Sequence, residues 1–526
     1  MIRRKRLISA AVAALCSATL ALTSCSAPES GNGSGGSDAP VGDPVAGGTL
    51  QAIQGREPIS LDPSDISNVW THSPLLGNAL YGTLITNNVE TQEIEYSMAT
   101  DFSTDDGGQT FTLKLRPGLM FTDGTPLDAA AVEYNWDRLR DPSRGSASFR
   151  QAEQIADVQA VDAETLTVTL VSPNPNFPDS LLVSALNWIA SPTALEQGRE
   201  AFDKNPVGAG PFTLTEWARQ DVIQLVENPG YWDAPRPYLD GITLRTVPAA
   251  DQRLNTLSTG GTDLASESNW LNLSRADDLG LDTEIVPMGG GQYFAMNTRR
   301  APFDDERARR AVNLAADMEN VNLVAFEGTG VVPQTLFPEG SPFYEDISLQ
   351  QSDAEEAQRL FDELAAEGKP LSFTFTTYSL VESRAAAEAL QAQLRAFDNV
   401  EVAVETLDFA AAQTRVNSRD FDMTISSANI QDPDGPLWSA FHSSSQGNTT
   451  GIDDDQLDAA LEAGRVGTTT EERKAAYDAA QKRLTELVPG VWFIQSPPAT
   501  ISGTDIHGVR LYGMGSPLPD GMWISE

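Results

Sequence analysis

The most informative segment of the chain reads Phe111-Thr112-Leu113-Lys114-Leu115-Arg116-Pro117-Gly118 and continues as Phe121-Thr122-Asp123-Gly124-Thr125-Pro126-Leu127. Its first residues alternate apolar and polar side chains, which predicts a half-buried β-strand. Asp123-Gly124 predicts a tight turn, because glycine adopts positive φ without steric strain, and Pro126 fixes φ at the next bend. The segment therefore predicts a strand that leads through two turns into a helix.

Strand and helix patterns recur on both sides of this segment. Further strands are predicted at residues 165–171, 371–377, 401–407 and 491–494. Helices are predicted at residues 304–320, 353–367, 383–397 and 468–487. Strands and helices in this order predict α/β lobes. A chain of 526 residues is too long for a single hydrophobic core, so two or more lobes are expected.

The N-terminus has the pattern of an export signal. A basic cluster at residues 3–6 precedes an uncharged apolar run that is shorter than the roughly 20 residues of a membrane-spanning helix. Leu22-Thr23-Ser24-Cys25 resembles the lipobox of bacterial lipoproteins, in which the chain is cut before a lipid-carrying cysteine. We expect residues 1–24 to be a signal peptide and Cys25 to carry lipid. The alternatives are a secreted protein with a chance cysteine and a membrane-spanning anchor.

Composition adds three expectations for the rest of the chain. Residues 25–47 are expected to form a flexible tether, since they are rich in Gly, Ser, Pro and Asp and lack hydrophobic periodicity. The only cysteines are Cys16 and Cys25, so no disulfide or thiol nucleophile is expected in the mature body. The formal net charge of −39 disfavours binding to nucleic acid or to anionic lipid headgroups.

Several segments, in the same order along the chain as in a known family, resemble that family. Besides the segment quoted above, they are Leu80-Tyr81-Gly82-Thr83-Leu84, Asn205-Pro206-Val207-Gly208-Ala209-Gly210-Pro211-Phe212, Asn228-Pro229-Gly230-Tyr231-Trp232, Phe294-Ala295-Met296-Asn297 and Pro302-Phe303-Asp304-Asp305-Glu306. Together they resemble the extracytoplasmic solute-binding proteins of ABC importers, in the large peptide- and nickel-binding group known as family 5. The resemblance covers nearly everything from Gly47 to Glu526.

The resemblance implies an α/β, two-lobed periplasmic-binding-protein fold of type II, in the large class with an extra subdomain in the first lobe. The first lobe is expected at residues 48–292 and 497–526, and the second lobe at residues 293–496. The implied function is the capture of a peptide or similar polar solute in the cleft between the lobes. Hinge closure would precede delivery to the permease and ATPase subunits of an importer. A monomer is expected, held by lipid at the outer face of the cytoplasmic membrane, at the cell surface or in a periplasm.

Two other functions stay open at this point. One is a secreted hydrolase of peptides or glycans, and the other is a surface peptide-binding chaperone or sensor with the same fold. We predict no catalytic residue, no metal site and no cofactor. The histidines His72, His442 and His507 are not neighbours in sequence, and the chain has neither a P-loop nor a Gly-x-Ser-x-Gly elbow.

The expected ligand contacts depart from the dipeptide-binding relatives. In those relatives, an acidic residue three positions before an Asp-Pro pair holds the peptide amino group, and an arginine after a second-lobe strand holds the carboxylate. The matching positions here are Asn429 and either Thr377 or Tyr378, so both charges are missing. A buried zwitterion needs paired charges, so a longer peptide or a neutral solute such as an oligosaccharide is favoured over a dipeptide. In the alternative alignment, Asp432 or Asp434 takes the acidic role.

Aromatic residues near the expected cleft are the second group of candidates, because a flat ring stacks on a sugar, a peptide bond or an apolar side chain. They are Trp70, Trp188, Tyr293, Phe294 and Trp438. Core packing is the alternative for each of them, and at least two are expected at the ligand. The predicted ligand contacts are completed by Tyr378, Asn429 and Asp432.

Two groups of glycines are predicted to have backbone roles. Gly289-Gly290-Gly291 is interpreted as a hinge or a close backbone approach, with a simple loop as the alternative. Gly208 and Gly210 are expected to bracket a turn at which one backbone segment passes close to another.

Overall fold

The computed structural model describes residues 42–70 and 73–525. The predicted signal peptide, Cys25 and the predicted tether as far as residue 41 lie outside the described residues, as does His72. Among the helices of the described part, none is both long enough and apolar enough to cross a bilayer.

The strands of the described chain are numbered here in chain order. They are β1 (Thr49–Gln54), β2 (Ile85–Asn87), β3 (Ile94–Tyr96), β4 (Ala99–Ser103), β5 (Thr110–Leu115), β6 (Ile155–Ala160), β7 (Thr165–Leu170), β8 (Phe212–Ala218), β9 (Val222–Glu227), β10 (Gly241–Thr246), β11 (Leu264–Glu267), β12 (Asp282–Ile285), β13 (Gly289–Met296), β14 (Leu371–Tyr378), β15 (Val400–Leu407), β16 (Met423–Ile430), β17 (Gly490–Ile494), β18 (Ala499–Ser502), β19 (Ile506–His507), β20 (Leu511–Tyr512), β21 (Ser516–Pro517) and β22 (Trp523–Ile524).

Helices follow or separate most of these strands. The α-helices are α1 (Pro74–Tyr81), α2 (Ala129–Leu139), α3 (Phe149–Ala152), α4 (Asp179–Leu182), α5 (Pro192–Leu195), α6 (Arg199–Lys204), α7 (Ala250–Ser258), α8 (Trp270–Asp278), α9 (Glu306–Ala315), α10 (Met318–Phe326), α11 (Ala354–Ala366), α12 (Val381–Leu394), α13 (Phe409–Asn417), α14 (Asp434–Phe441), α15 (Asp455–Val466) and α16 (Thr470–Leu487). Short 3₁₀ helices lie at Pro63–Asp65, Pro142–Arg144, Ala185–Asn187 and Pro519–Gly521.

A seven-stranded sheet has the order β12-β18-β11-β1-β10-β9-β8. Its centre is parallel, since β1 pairs in parallel with both β10 and β11, and its other pairs are antiparallel. Leu50 and Ile242 belong to the large core on one side of this sheet, while Ile53 and Ala265 belong to a smaller core with α7 and α8. We call the part of the protein built on this sheet the first lobe.

A four-stranded antiparallel sheet, β4-β5-β7-β6, belongs to the same lobe. Its strand β5 confirms the alternation predicted from sequence, because Phe111, Leu113 and Leu115 are buried and the residues between them are more exposed. The ring of Phe111 lies 5.2 Å from that of Phe102 and 5.9 Å from that of Phe177, between centroids. These side chains share one hydrophobic core with the seven-stranded sheet.

The second lobe is built on a five-stranded sheet with the order β15-β14-β16-β13-β17. Strand β14 is parallel to β15 and β16, and β13 is antiparallel to β16 and β17. Helices cover both faces of this sheet. Phe373 and Phe375 pack into the core with α11 and α12, whereas Tyr293 and Ala295 pack into a second core with α14, α15 and α16.

The chain passes between the two large sheets twice, at residues 286–288 and 495–498. The two crossing segments contact each other, since the Val286 N–H donates to the Pro498 carbonyl oxygen at 2.9 Å. Trp270 of α8 also donates its indole N–H to the Gln495 carbonyl oxygen at 2.7 Å. These bonds hold the two connections side by side.

Close backbone contacts explain both predicted groups of glycines. A Cβ on Gly208 would lie 2.1 Å from the Leu80 carbonyl oxygen, which confirms the expected close approach. The triplet that starts at Gly289 lies inside β13, so the simple-loop alternative is wrong. A Cβ on Gly290 would lie 2.2 Å from the Ala428 carbonyl oxygen, and the next glycine meets the β17 backbone equally closely.

One predicted helix is wrong and the other three are confirmed, since the helix predicted at residues 383–397 corresponds to α12. The helices predicted at residues 353–367 and 468–487 correspond to α11 and α16, each preceded by a side chain that caps it. The single helix predicted at residues 304–320 is two helices, α9 and α10. Ala316 is extended, and the Asp317 carboxylate accepts a hydrogen bond from the Asn320 N–H at 3.0 Å. Asp317 therefore starts a new helix as its N-cap.

Candidate functional site

A cavity of about 890 Å³ lies between the first and second lobes. On the first-lobe side it is lined by the turn between β2 and β3, by α3 and by α4. On the second-lobe side it is lined by the end of β16 and by residues of α14, α15 and the start of α16. Its volume falls within the roughly 300–1,000 Å³ typical of sites for small organic ligands.

Direct hydrogen bonds join the two lobes beside this cavity. Gln92 donates from Nε2 to the Gln431 carbonyl oxygen at 2.8 Å, and Arg150 donates from Nη1 to Ser439 Oγ at 3.0 Å. The Asn174 amide lies 3.4 Å from the Asp434 carboxylate. Because these bonds link residues from the two lobes, the structure is that of a closed cleft.

Three of the eight predicted ligand contacts line the cavity: Asn429, Asp432 and Trp438. Asn429 is the next-to-last residue of β16, where the sheet pairs it with Gly290. Its Oδ1 is buried and has no hydrogen-bond partner in the described protein. A buried amide oxygen without a partner is unfavourable unless another group supplies a donor, so this atom is available to a ligand.

Asp432 and Asp434, the two acidic candidates of the alternative alignment, are neutralised by arginines of the second lobe. Arg473 Nη2 lies 2.9 and 2.6 Å from the two Asp432 carboxylate oxygens, and Arg465 Nε lies 2.7 Å from Asp434 Oδ1. Burial raises the pKa of Asp434 above its usual value, and Arg465 opposes this shift. Burial disfavours the charged form of Arg473, but Asp432, together with Tyr477 and Asp179, opposes this effect, so the pKa of Arg473 is raised.

The indole of Trp438 lies between two other planar groups. The His442 ring stacks on it with centroids 3.6 Å apart, and the Arg465 guanidinium carbon lies 3.7 Å from the indole centroid. Two groups this close to one ring centre must occupy opposite faces. Trp438 therefore presents an edge to the cavity rather than the stacking face expected from the sequence.

The structure places Trp188 and Trp70 outside the cavity lining. Trp188 is fully buried, lies against Gly77, and donates its indole N–H to Asn78 Oδ1 at 2.9 Å. Trp70 is half-buried, and its backbone N–H donates to the carbonyl oxygen of Met514 at 3.3 Å. Met514 does line the cavity, so the backbone of Trp70 contacts a lining residue.

Tyr293 and Phe294 lie in the two cores on either side of β13. The Tyr293 ring is 4.7 Å from that of Trp492, and the Phe294 ring stacks 4.3 Å from that of Phe493, between centroids. Tyr378 is the last residue of β14 and stacks on Phe409 instead of reaching the cavity. These three aromatic side chains serve packing within the second lobe.

Sequence reasoning missed several polar lining residues: Gln92, Arg150, Asp179, Gln431, Arg465 and Arg473. Most of them lie in turns or at helix ends, where no periodic pattern marks them. The Pro- and Asn-rich run before Asp179 was the one available signal, because polar residues around the buried Phe177 indicate an ordered loop.

Within residues 42–70 and 73–525, no group of three or more His, Cys, Asp or Glu side chains is arranged to hold a metal ion. His442 packs against Trp438, and His507 packs against Trp523 with ring centroids 4.3 Å apart. The lining as a whole offers hydrogen-bond donors, acceptors and charges to a polar solute.

Sequence comparison with curated proteins finds the glutathione-binding protein GsiB of Shigella flexneri serotype 5b (strain 8401), which is 30% identical over 342 residues. GsiB of Escherichia coli (strain K12) is 31% identical over 342 residues. Both alignments cover 63% of this chain, which thus spans 64% of the length of the curated relatives it matches.

Comparison with solved structures shows the same fold at low sequence identity. DppA of Helicobacter pylori, in complex with the peptide STSA, has a TM-score of 0.75 at 24% identity, covering 92% of this chain and 99% of that one. CtaP of Listeria monocytogenes, an ABC transporter substrate-binding protein, has a TM-score of 0.78 at 20% identity, covering 91% and 100%. These neighbours confirm the predicted α/β periplasmic-binding-protein fold.

The family comparison agrees with the resemblance seen in the sequence segments. The model described as bacterial extracellular solute-binding proteins, family 5 Middle, matches residues 93–448. That range includes most of the cavity lining in both lobes. The family is one of binding proteins rather than enzymes, as predicted. The chain belongs to family 5 of the bacterial extracellular solute-binding proteins.

Proposed function

We propose that this protein is the binding component of an ABC importer and encloses a peptide or similar polar solute between its lobes. The observation that supports this most directly is the cavity of about 890 Å³, lined by both lobes and bridged by hydrogen bonds between them. The named ligands of its relatives, glutathione and a short peptide, are of a size that suits such a cavity.

The closed cleft gives this function a physical basis. A solute bound between two lobes loses water on most of its surface, and it favours closure only as far as it binds the closed state more tightly than the open one. The connections at residues 286–288 and 495–498 are the places where the lobes would rotate. Release to a permease then requires only that the cleft reopen, with the solute unchanged.

Binding without turnover is the outcome that tests the proposal. Purified protein incubated with peptides and glycans should retain a solute in native mass spectrometry and leave its mass unchanged. A bound solute at 100 times its dissociation constant should stabilise the fold by about 2.7 kcal/mol, which a thermal-shift assay detects. Products of hydrolysis in the same incubation would contradict the binding role and favour a hydrolase.

Export and lipid attachment are part of the same proposal. The lipobox-like quartet that ends at Cys25 supports a lipid anchor at the outer face of the cytoplasmic membrane, and the protein is proposed to act there as a monomer with a permease and an ATPase. In cells of a lipoprotein-processing host, Cys25→Ala should move the protein from the membrane fraction to the soluble fraction. Retention of this variant in the membrane fraction would contradict the lipid anchor.

A further inference from the structure

The cavity contains a carboxyl group that the protein does not neutralise. Asp179, the first residue of α4, lines the cavity and is half-buried. Among the described residues, no side chain or backbone group forms a hydrogen bond or ion pair with its carboxylate. The remaining unpaired lining carboxylates, Glu93 and Glu153, are exposed to solvent. Asp179 is therefore the unpaired acid of the cavity interior.

Across the cavity, Asp179 faces charges that are already balanced. It interacts electrostatically with Asp432, Arg473 and Asp434 of the second lobe. Arg473 pairs with Asp432, and Arg465 pairs with Asp434, so these four side chains carry no net charge when ionised. The ionised Asp179 adds one negative charge that has no counterion. An uncompensated charge in a partly dehydrated cavity is unfavourable until an opposite charge enters.

Uncharged groups beside these charges also lack partners. Gln431 is 8% exposed, lines the cavity, and has an Nε2 without a hydrogen-bond partner in the described protein. The unpartnered Oδ1 of Asn429 lies on the same strand end. The site thus offers a carboxylate and an amide oxygen to donors of the solute, and one amide N–H group to an acceptor. That combination matches a charged nitrogen next to a carbonyl oxygen.

We propose that the solute carries a positively charged nitrogen that pairs with Asp179, while the Gln431 amide donates to a neighbouring oxygen of the solute. This inference rests on the proposed function and names its solute class. The charged nitrogen is an ammonium or guanidinium group, supplied either by the amino terminus of a peptide or by a basic side chain. The charge that the sequence lacks at Asn429 is provided from the opposite lobe.

Proton release would accompany such binding. Burial, reinforced by Asp432, raises the pKa of Asp179 well above its usual value in the ligand-free cleft, while Arg473 opposes the shift and Asp434 adds to it. A bound cation stabilises the carboxylate, so it lowers this pKa again. Affinity for a cationic solute should therefore fall as the pH falls, beginning at the raised pKa of Asp179.

The test compares wild-type protein with Asp179→Asn and a matched control, Asp157→Asn. Asp157 is exposed on β6 of the same lobe and lies outside the cavity lining, so its variant loses the same charge elsewhere. Each protein is incubated with three tripeptide libraries. The first has free amino termini and no Lys or Arg, the second is N-acetylated and contains Lys or Arg, and the third is N-acetylated without either residue.

Native mass spectrometry identifies the retained peptides, and titration calorimetry measures their affinities. We expect wild type to retain members of the first or second library, and whichever is retained identifies the source of the charged nitrogen. Asp179→Asn should weaken this binding at least 30-fold, and Asp157→Asn less than threefold, since a desolvated charge pair loses far more than a surface charge. An unchanged or higher melting temperature of ligand-free Asp179→Asn shows that the variant is folded.

Two results would overturn the inference, and only the second would also contradict the proposed function. If wild type retains the uncharged third library equally well, or Asp179→Asn binds like wild type, the charge pairing is refuted while solute binding stands. If wild type retains no member of any library, the proposed capture of peptide-class solutes fails as well.

Discussion

At the scale of single residues, Arg473 and Asp432 form an ion pair in which each side chain compensates the charge of the other. Their side chains are 10% and 21% exposed, so each depends on the other for compensation. Arg473→Met should lower the free energy of unfolding by about 2–3 kcal/mol, somewhat less than for a fully buried pair, because it leaves Asp432 unpaired. Urea denaturation of the ligand-free protein measures this loss.

The double variant Arg473→Met with Asp432→Asn is the control for this prediction. It removes both charges, so it should recover most of the stability that the single variant loses. A double variant as unstable as Arg473→Met alone would show that Arg473 acts through its packing against the rings of Phe343 and Tyr477 rather than through its charge.

Asp179 gives a prediction of pH-dependent stability. Its pKa is raised in the folded protein, so the folded state binds a proton more tightly than the unfolded state, and stability falls as the pH rises through the raised pKa. Asp179→Asn removes this loss. The melting temperature of the ligand-free variant should exceed that of wild type at pH 7.5 by about 1 °C for each kcal/mol recovered, since the entropy of unfolding grows with chain length.

The same difference should shrink to zero below about pH 4, where the carboxyl group is protonated in both folded and unfolded states. Differential scanning calorimetry across this pH range provides the measurement. A constant difference at all pH values would mean that the effect of Asp179→Asn does not arise from ionisation.

Sequence reasoning predicted individual cleft residues where a local motif marked them. Asn429 and Asp432 were predicted from one Asp-Pro motif, and Trp438, five residues after that Pro, was predicted as an aromatic side chain near the cleft. Asp179 and Arg473 could not be found in this way, because their role arises from contact between lobes that are distant in sequence. The burial of the aromatic candidates could not be predicted from sequence either, since the neighbours that cover each ring come from other strands and helices.

At the scale of elements, strand β13 depends on glycine where it meets its neighbours. Gly291 has φ of +126°, and a Cβ there would lie 2.2 Å from the Ile494 carbonyl oxygen of β17. Gly291→Ala should therefore destabilise the protein by about 3 kcal/mol, since it combines a disfavoured backbone angle with a clash against backbone. Thermal unfolding of the ligand-free variant provides the measurement.

Gly435→Ala is a matched control for this prediction. Gly435 lies near the start of α14, and a Cβ at this position would meet no atom within 4 Å. This variant should be neutral or more stable by up to about 1 kcal/mol, because alanine favours a helix over glycine. Equal losses in both variants would contradict a specific backbone requirement at Gly291.

Elements were predictable from sequence where a periodic pattern ran without interruption. The alternation in β5 and the capped helices α11 and α16 are of this kind. The boundary between α9 and α10 was missed because apolar residues continue across it, while the decisive signal is the single capping carboxylate of Asp317. A cap is a local hydrogen bond of one polar side chain, so it does not alter the spacing of apolar residues from which helices are predicted.

At the scale of the whole molecule, closure of the cleft is the property that binding should change. Addition of the solute should lower the radius of gyration measured by X-ray scattering, toward the roughly 23 Å expected for a compact body of this length. The double variant Gln92→Ala with Arg150→Ala loses two hydrogen bonds between the lobes. It should weaken solute affinity by about 5- to 100-fold, mostly through faster release.

Gln197→Ala serves as the comparison for this variant, because Gln197 is exposed and lies outside the cavity lining. It should bind the solute like wild type. A radius of gyration that does not change on binding, together with unaltered affinity in the double variant, would show that the lobes do not close around the solute.

The α/β architecture and the family could be predicted from the family-like sequence segments and their order along the chain. Each segment encodes a strand, a turn or a close backbone contact of the fold. The chemical character of the cleft could not, since it depends on which charges meet when the lobes come together. Asp432 and Asp434 are acidic in the sequence but are paired with arginines in the fold, while the Asp179 carboxyl has no such partner and burial raises its pKa.

The first-lobe residues around the cavity lie on the β2–β3 turn, α3, α4 and the segment at Met514, all outside the seven-stranded sheet. Substitutions at the cavity-lining positions of these segments therefore change neither the hydrogen bonds of the sheet nor the two crossings that join the lobes. Among related chains, substitutions should therefore accumulate at these positions first, so that preference for the solute diverges faster than the residues of the two crossings.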